Sequence, residues 1–220
     1  MEEINPNQEN FEDNKNGRGS GLWSGLVAGA LFIWDFVKVL LIALIIIIPV
    51  RYFVFQPFIV SGSSMEPNFT NRQYLIIDEM TFYFKQPHRG QVVVIRYPKD
   101  PKQFFIKRII GLPREEVKIE NGKVYITNPQ TKETIELNET YLPNQGLTYP
   151  HYETVIGGKK TLTLKEDEYF VLGDNRLASS DSRDWGIVPR KDLVGKVFIR
   201  VLPLSQFQFY TKIPVYSPAQ

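Results

Sequence analysis

From Val39 to Val50 the chain carries no charged side chain, and Ile45 to Ile48 are four isoleucines in succession. With its flanks, Phe36 to Phe55, this run makes a helix about 30 Å long at about 1.5 Å per residue, enough to cross a bilayer. A run that is hydrophobic on every side has no polar face to offer water, so it must lie in a protein core or in lipid. The isoleucine run favours lipid. Lys38 and Arg51 can snorkel at the two ends, and Tyr52, Phe53 and Phe55 suit an interface. The segment starts late for a cleaved leader, and no small-x-small site separates it from Gly62-Ser63-Ser64. It therefore reads as a permanent anchor over about 36–55. Gly21 to Trp34 is apolar but short and glycine-broken; it either lies flat on the membrane or extends the anchor. Met1 to Ser20 is polar, has few aliphatic residues and is expected to be disordered.

Among 220 residues there is no cysteine and there are two histidines, with a formal net charge of +2. A thiol nucleophile, a disulfide framework and a thiolate metal site are thereby excluded. Two distant histidines make a poor catalytic zinc site. Charge is balanced and scattered, so no nucleic-acid partner is expected.

Beyond Pro57 the pattern changes to short β-branched and aromatic runs bounded by Gly and Pro. Strands are expected at Tyr74–Ile77, Gln91–Tyr97, Phe104–Ile110, Thr134–Leu137, Thr161–Leu164, Tyr169–Leu172 and Lys196–Val201. Val117 to Ile126 is a hairpin with Asn121-Gly122 at its tip, the signal of a type I′ turn. That turn pairs Val117 with Ile126 and Ile119 with Val124, placing the apolar residues on one face. Asn128 to Lys160 is rich in Pro, Gly, Asn and Thr and reads as a loop-bearing insertion. No amphipathic helix is expected after residue 57. The fold class is mainly β: a transmembrane helix, then antiparallel sheets with a β insertion.

Two stretches suggest hydrolytic chemistry, Gly62-Ser63-Ser64-Met65-Glu66-Pro67 and Phe105-Ile106-Lys107-Arg108. A lysine becomes a base when an apolar, water-poor setting suppresses its charge. Lys107 stands among Phe104, Phe105, Ile106, Ile109 and Ile110. A serine activated this way needs neither His88 nor His151.

With Arg51 to Phe58, Arg89-Gly90-Gln91-Val92, Gly111-Leu112-Pro113, Asn121 to Ile126, and Gly173 to Arg183 followed by Trp185-Gly186, these blocks stand in the order found in bacterial type I signal peptidases of the Ser/Lys class. The chain resembles that family from about Arg51 to Leu204. The resemblance implies that Ser64 is the nucleophile, Lys107 the general base, and Ser179 the hydroxyl that orients the lysine amine. Met65 and Pro67 would hold the nucleophile turn, with Met65 also covering the lysine, and Gly173 would permit close backbone approach. Asp181 and Arg183 are read as scaffold beneath Ser179, with Asp174, Arg176 and Arg108 in the same charged set. Phe105, Ile106 and the residues from Phe58 to Ser61 are candidate walls of pockets for small side chains.

The resemblance also implies the partners: signal peptides of exported preproteins, the lipid bilayer, and transient contact with the export translocon, with no cofactor and no metal. It implies a single-pass protein of the cytoplasmic membrane with its N-terminus inside and its catalytic domain outside. The expected organisation is a tail over 1–20, a membrane segment over 21–56, a catalytic β domain from 57–117 and 166–210, an inserted β subdomain over 118–165, and a C-terminal tail over 211–220. Two departures stand out. Gly62 replaces a serine that completes the oxyanion hole in some members, leaving Ser61, Ser63 or water for that task. After Gly111-Leu112-Pro113 the family has Gly and an acid; here Arg114-Glu115-Glu116 follows. The competing reading is an inactive membrane-anchored β domain that only holds peptides. A self-cleaving Ser/Lys repressor would need a DNA-binding domain where this chain has its apolar helix.

Overall fold

The computed structural model describes residues 20–53, 55–142, 146–150 and 161–211. The tails expected over 1–20 and 211–220 lie outside these residues except for Ser20 and Thr211, and His151 lies outside them too.

Helix α1 runs without interruption from Ser20 to Phe53. The stretch Gly21–Trp34 is thus part of one helix with the isoleucine run. Within it, Gly25–Ile48 is long and apolar enough to cross a membrane, and none of its described residues is buried by protein. The two charges inside this span neutralise each other: Lys38 Nζ lies 3.1 Å from Asp35 Oδ1, one turn away. Such i,i+3 pairing lowers the cost of carrying charge in an apolar helix. The described residues up to Pro49 and those from Val50 onward form two compact units.

The second unit is built of antiparallel strands: β1 Phe55–Ile59, β2 Tyr74–Asp78, β3 Val92–Tyr97, β4 Asp100–Gly111, β5 Glu116–Glu120, β6 Lys123–Thr127, β7 Thr134–Glu136, β8 Thr161–Thr163, β9 Glu168–Leu172, β10 Val188–Pro189, β11 Leu193–Leu202 and β12 Gln208–Phe209. The larger sheet runs β1-β2-β11-β3-β4-β9-β10, with β12 on β11, and the smaller runs β7-β6-β5-β8. Among the described residues beyond α1, helical structure is confined to single turns, among them α2 Thr81–Phe84 and α3 Ser182–Trp185.

Every strand expected from the sequence is present, within a few residues at its ends. At the hairpin tip Asn121 and Gly122 both have positive φ, 51° and 78°, as a type I′ turn requires. Val117 pairs with Ile126 and Ile119 with Val124, as expected. Strand β1 is an addition to the expected set, because the helix pattern runs to Phe55 and Pro57 breaks the strand pattern beyond it. Proline lacks an N–H and is tolerated where a strand has one neighbour only, and among the described residues β1 pairs with β2 alone.

Alternation along β3 sets the core. Val92 and Val94 face one cluster with Val60, Met65, Phe69, Leu75, Ile77 and Val197. Val93 and Ile95 face another, with Ile109, Tyr169, Val171 and Leu193. A strand covered on both faces is a rigid support, and β4 lies beside it with Lys107 opposite Val93. A third cluster joins the two sheets: Ile110, Phe170 and Leu172 of the larger pack with Val117, Val124 and Ile126 of the smaller.

Candidate active site

Ser64 sits on a tight turn between β1 and β2. Gly62 opens the turn at φ +91°, a conformation that disfavours any side chain, and its N–H donates to Asn71 Oδ1 at 3.2 Å. The Glu66 N–H closes on the Ser63 carbonyl at 3.1 Å, and the Phe69 N–H on the Met65 carbonyl at 2.9 Å. Met65 and Phe69, each 1% exposed, root the turn in the first core. Met65 therefore acts as the turn's hydrophobic root; the ring set against the lysine is that of Phe105, whose centroid lies 5.4 Å from Lys107 Nζ.

Lys107 is 3% exposed, and its Nζ lies 2.7 Å from Ser64 Oγ. Burial pushes this amine down from 10.5 to about 8; the charges of Asp181 and Asp174 oppose that shift and Arg183 assists it. A depressed lysine holds a useful neutral fraction near pH 8, and its lone pair can then accept the serine proton across the same distance.

The loop after β9 closes over this pair. Gly173 lies so near that a Cβ placed on it would stand 2.1 Å from Ser179 Oγ and 2.4 Å from the Ser64 carbonyl oxygen. Ser179 is buried, and its hydroxyl has no hydrogen-bond partner among the described residues. The expected hydrogen bond between Ser179 and the Lys107 amine is thus not formed: the amine is engaged by Ser64, and the Ser179 hydroxyl rests against Gly173.

Beneath the loop lies a buried ionic frame. Arg183 grips Asp181 through Nε to Oδ1 and Nη2 to Oδ2, both 2.8 Å. Asp181 also accepts the Gly173 N–H at 3.0 Å and the Arg183 N–H at 3.1 Å. Burial alone would raise the Asp181 carboxyl; the Arg183 bonds and charge and these two N–H donors outweigh it and hold the group below its usual range. Asp181 and Asp184 form a capping box on α3. Arg176 reaches the Gly173 carbonyl at 2.9 Å and pairs with Glu139 through both carboxylate oxygens. Arg108 pairs with Asp174 in the same loop, Nη2 to Oδ2 at 2.6 Å.

A cavity of about 90 Å³ opens beside Ser64 and Lys107. Phe58, Ser61, Phe105 and Ile106 are among the residues that line it, with Leu75 and Val94. His88 is exposed and does not line it. Three residues passed over in the sequence also enter the site. Asn175 donates to the Ser63 and Ser64 carbonyls. Asn68 bridges Asp174 and the Tyr141 carbonyl, both at 2.9 Å. Tyr141 stacks under the Arg108 guanidinium, 4.0 Å from ring centroid to Cζ. Asn175 lies within the Gly173–Arg183 block; nothing local marks the other two.

Residues 33–202 match the family described as signal peptidase, peptidase S26. The chain belongs to that family. A probable signal peptidase I-2 of Synechocystis is 38% identical over 180 residues, covering 79% of this chain and 75% of that protein. The signal peptidase I P of Bacillus subtilis subsp. natto is 33% identical over 176 residues, covering 79% and 91%. A crystal structure of signal peptidase I from Enterococcus faecalis is 32% identical with a TM-score of 0.41, covering 51% of this chain and 97% of that one. The departure from the signal peptidase pattern at 114–116 has a structural account. Arg114 takes the left-handed conformation, φ 70°. Glu115 accepts the Leu112 N–H at 2.7 Å and pairs with Arg89 through both carboxylate oxygens.

Proposed function

We propose that this chain is a membrane-anchored serine endopeptidase that removes N-terminal signal peptides from exported preproteins. The observation that carries the reading is the 2.7 Å approach of a buried lysine amine to Ser64 Oγ, beside a cavity sized for small side chains. In the first step Ser64 Oγ attacks the scissile carbonyl carbon while its proton passes to the neutral Lys107 amine. The oxyanion is held by the Ser64 N–H. Collapse breaks the C–N bond, and the Lys107 ammonium returns the proton to the leaving amine. Lys107 then takes a proton from water, whose oxygen attacks the ester carbonyl; collapse breaks the acyl C–O bond, and the Lys107 ammonium returns the proton to Ser64 Oγ. Ser179 becomes the partner of the amine once the Ser64 hydroxyl has turned to the substrate.

Substrate would bind as an added strand. Among the described residues, strand β1 has no neighbour on its outer side, and β4 meets β9 only from Arg108 onward. Two unpaired edges therefore flank the cavity, ready to hydrogen-bond an extended peptide whose alternate side chains enter it. Residues 57–117 and 166–210 form the catalytic part and 118–165 an insertion. The catalytic part faces outside the cytoplasmic membrane and the N-terminal tail inside.

The test is cleavage of a fluorogenic peptide carrying Ala-x-Ala before the cut, by the full chain in detergent or lipid. Turnover is expected for Ala, with strong loss when Leu replaces the last Ala. Binding without turnover would establish the inactive peptide-holding domain instead. Protease added to sealed spheroplasts should reach the β domain and spare the N-terminal tail.

A further inference from the structure

The Ser64 turn is held from one side by a single residue of the loop after β9. Asn175 Nδ2 donates to the Ser63 carbonyl at 3.1 Å, and the Asn175 N–H donates to the Ser64 carbonyl at 3.0 Å. A peptide unit is planar and trans, so its C=O and N–H point in opposite directions. The Ser63 carbonyl and the Ser64 N–H belong to the same unit. Whatever fixes that carbonyl also aims that N–H. Here two donors fix it, Asn175 Nδ2 and the Glu66 N–H. The turn needs such a brace, because Gly62 at its start leaves the preceding backbone freer than any other residue would. Gly62 also supplies no hydroxyl for the oxyanion, which leaves more of the task to the Ser64 N–H.

We propose that Asn175 is a positioning residue that sets the tilt of the 63–64 peptide plane and thereby aims the Ser64 N–H at the transition-state oxyanion. This rests on the acyl-transfer function proposed for the site. Asn175 touches neither substrate nor the transferred proton; it acts through the backbone of the nucleophile. Its own N–H contact to the Ser64 carbonyl survives side-chain replacement, so the loop stays in place and only the brace on Ser63 is removed.

The experiment compares wild type with Asn175→Ala and Asn175→Leu on one Ala-x-Ala peptide, measuring kcat, KM and their pH profiles. Leucine keeps the side chain's shape and removes its donor. Removing an oxyanion donor outright costs about 10²–10³-fold in kcat, and a misaimed donor should cost less, about 10–100-fold. KM should stay within about twofold, and the midpoint of the pH profile should not move, because the Lys107 amine is untouched. Binding of a peptide aldehyde, whose adduct with Ser64 carries the tetrahedral oxygen, should weaken in parallel with kcat, while binding of the matching peptide alcohol should not.

Wild-type kcat in both variants would overturn the proposal. So would a rise in KM alone, which marks a substrate contact, or a shifted midpoint, which marks action through Lys107. Full activity in Asn175→Leu with loss in Asn175→Ala would show that the side chain only fills space. An inactive wild type would instead remove the proposed function, and with it the ground for the inference.

Discussion

Arg108 and Asp174 are joined by two parallel hydrogen bonds, Nε to Oδ1 at 2.8 Å and Nη2 to Oδ2 at 2.6 Å. Each stands next to a member of the site: Arg108 follows Lys107 on β4, and Asp174 lies between Gly173 and Asn175. The strand that carries the amine and the loop that braces the serine are thus locked together by one buried pair. A bidentate pair fixes angle as well as distance.

Breaking this lock should therefore cost both stability and rate. Asp174→Ala leaves the Arg108 guanidinium buried without its carboxylate, which typically costs about 3–5 kcal/mol. Urea unfolding should show that loss, and peptide turnover should fall in the fraction that remains folded.

Ser64→Ala and Lys107→Ala should each abolish cleavage while leaving a folded protein. Because the two groups act as one unit, the double variant should be no worse than either single one. His88→Ala should turn over at the wild-type rate, since that side chain is exposed and outside the cavity.

The rate should depend on pH through Lys107. Its amine, lowered by burial to about 8, is protonated below that pH and cannot accept a proton from Ser64. Turnover should climb about tenfold per pH unit on the acid side and level off above the midpoint. A profile still climbing above a pH of about 10.4 would mean that the amine is not depressed.

The same burial makes Lys107 a cost to the fold. In the unfolded chain the lysine holds its proton up to about 10.4, whereas in the fold it loses it near 8. Between these values the unfolded state binds more protons, so wild-type stability rises with pH across that window. Below it the penalty is present in full. Lys107→Met, which keeps the stem and removes the charge, should therefore be more stable than wild type near neutral pH. At about 1.36 kcal/mol per unit the gain is roughly 3 kcal/mol at most for a shift from 10.5 to about 8, and it should vanish by strongly alkaline pH.

Gly173→Ala should be inactive or nearly so. The added methyl meets Ser179 Oγ at 2.1 Å and the Ser64 carbonyl oxygen at 2.4 Å. The second of these is backbone and cannot rotate away. Overpacking of this kind costs about 1–3 kcal/mol, and the nucleophile turn must shift to accept it. A melting curve and a turnover assay together separate the two effects.

Much of the fold is legible in the sequence because its signals are local. The short β-branched and aromatic runs of β3 and β9 and the Asn121-Gly122 turn each depend on a few adjacent residues. Ser64, Lys107, Ser179 and the Asp181–Arg183 pair become visible through ordered blocks that resemble a family. Strand β1 is hidden because its proline is acceptable only at an edge, and edges are a property of the assembled sheet. Asn68 is hidden for a related reason: its partners lie 73 and 106 residues away. Nothing in the neighbourhood of an asparagine says which distant carboxylate it will meet. The Ser179–Lys107 hydrogen bond is expected from pairwise roles; in the structure the Ser179 hydroxyl packs against Gly173 and makes no hydrogen bond among the described residues.

The hydrophobic cluster shared by the two sheets limits how the molecule can be dismantled. Val117, Val124, Ile126 and Leu164 cover Ile110, Phe170 and Leu172, and β4 and β9, which contribute those last three, frame the lysine. A version of the chain cut back to the larger sheet would leave these three side chains facing water, with Ile110 only two positions along β4 from Arg108. The smaller sheet is for that reason no detachable cassette. Trimming or exchanging it would strip one wall from the strands on which the chemistry depends.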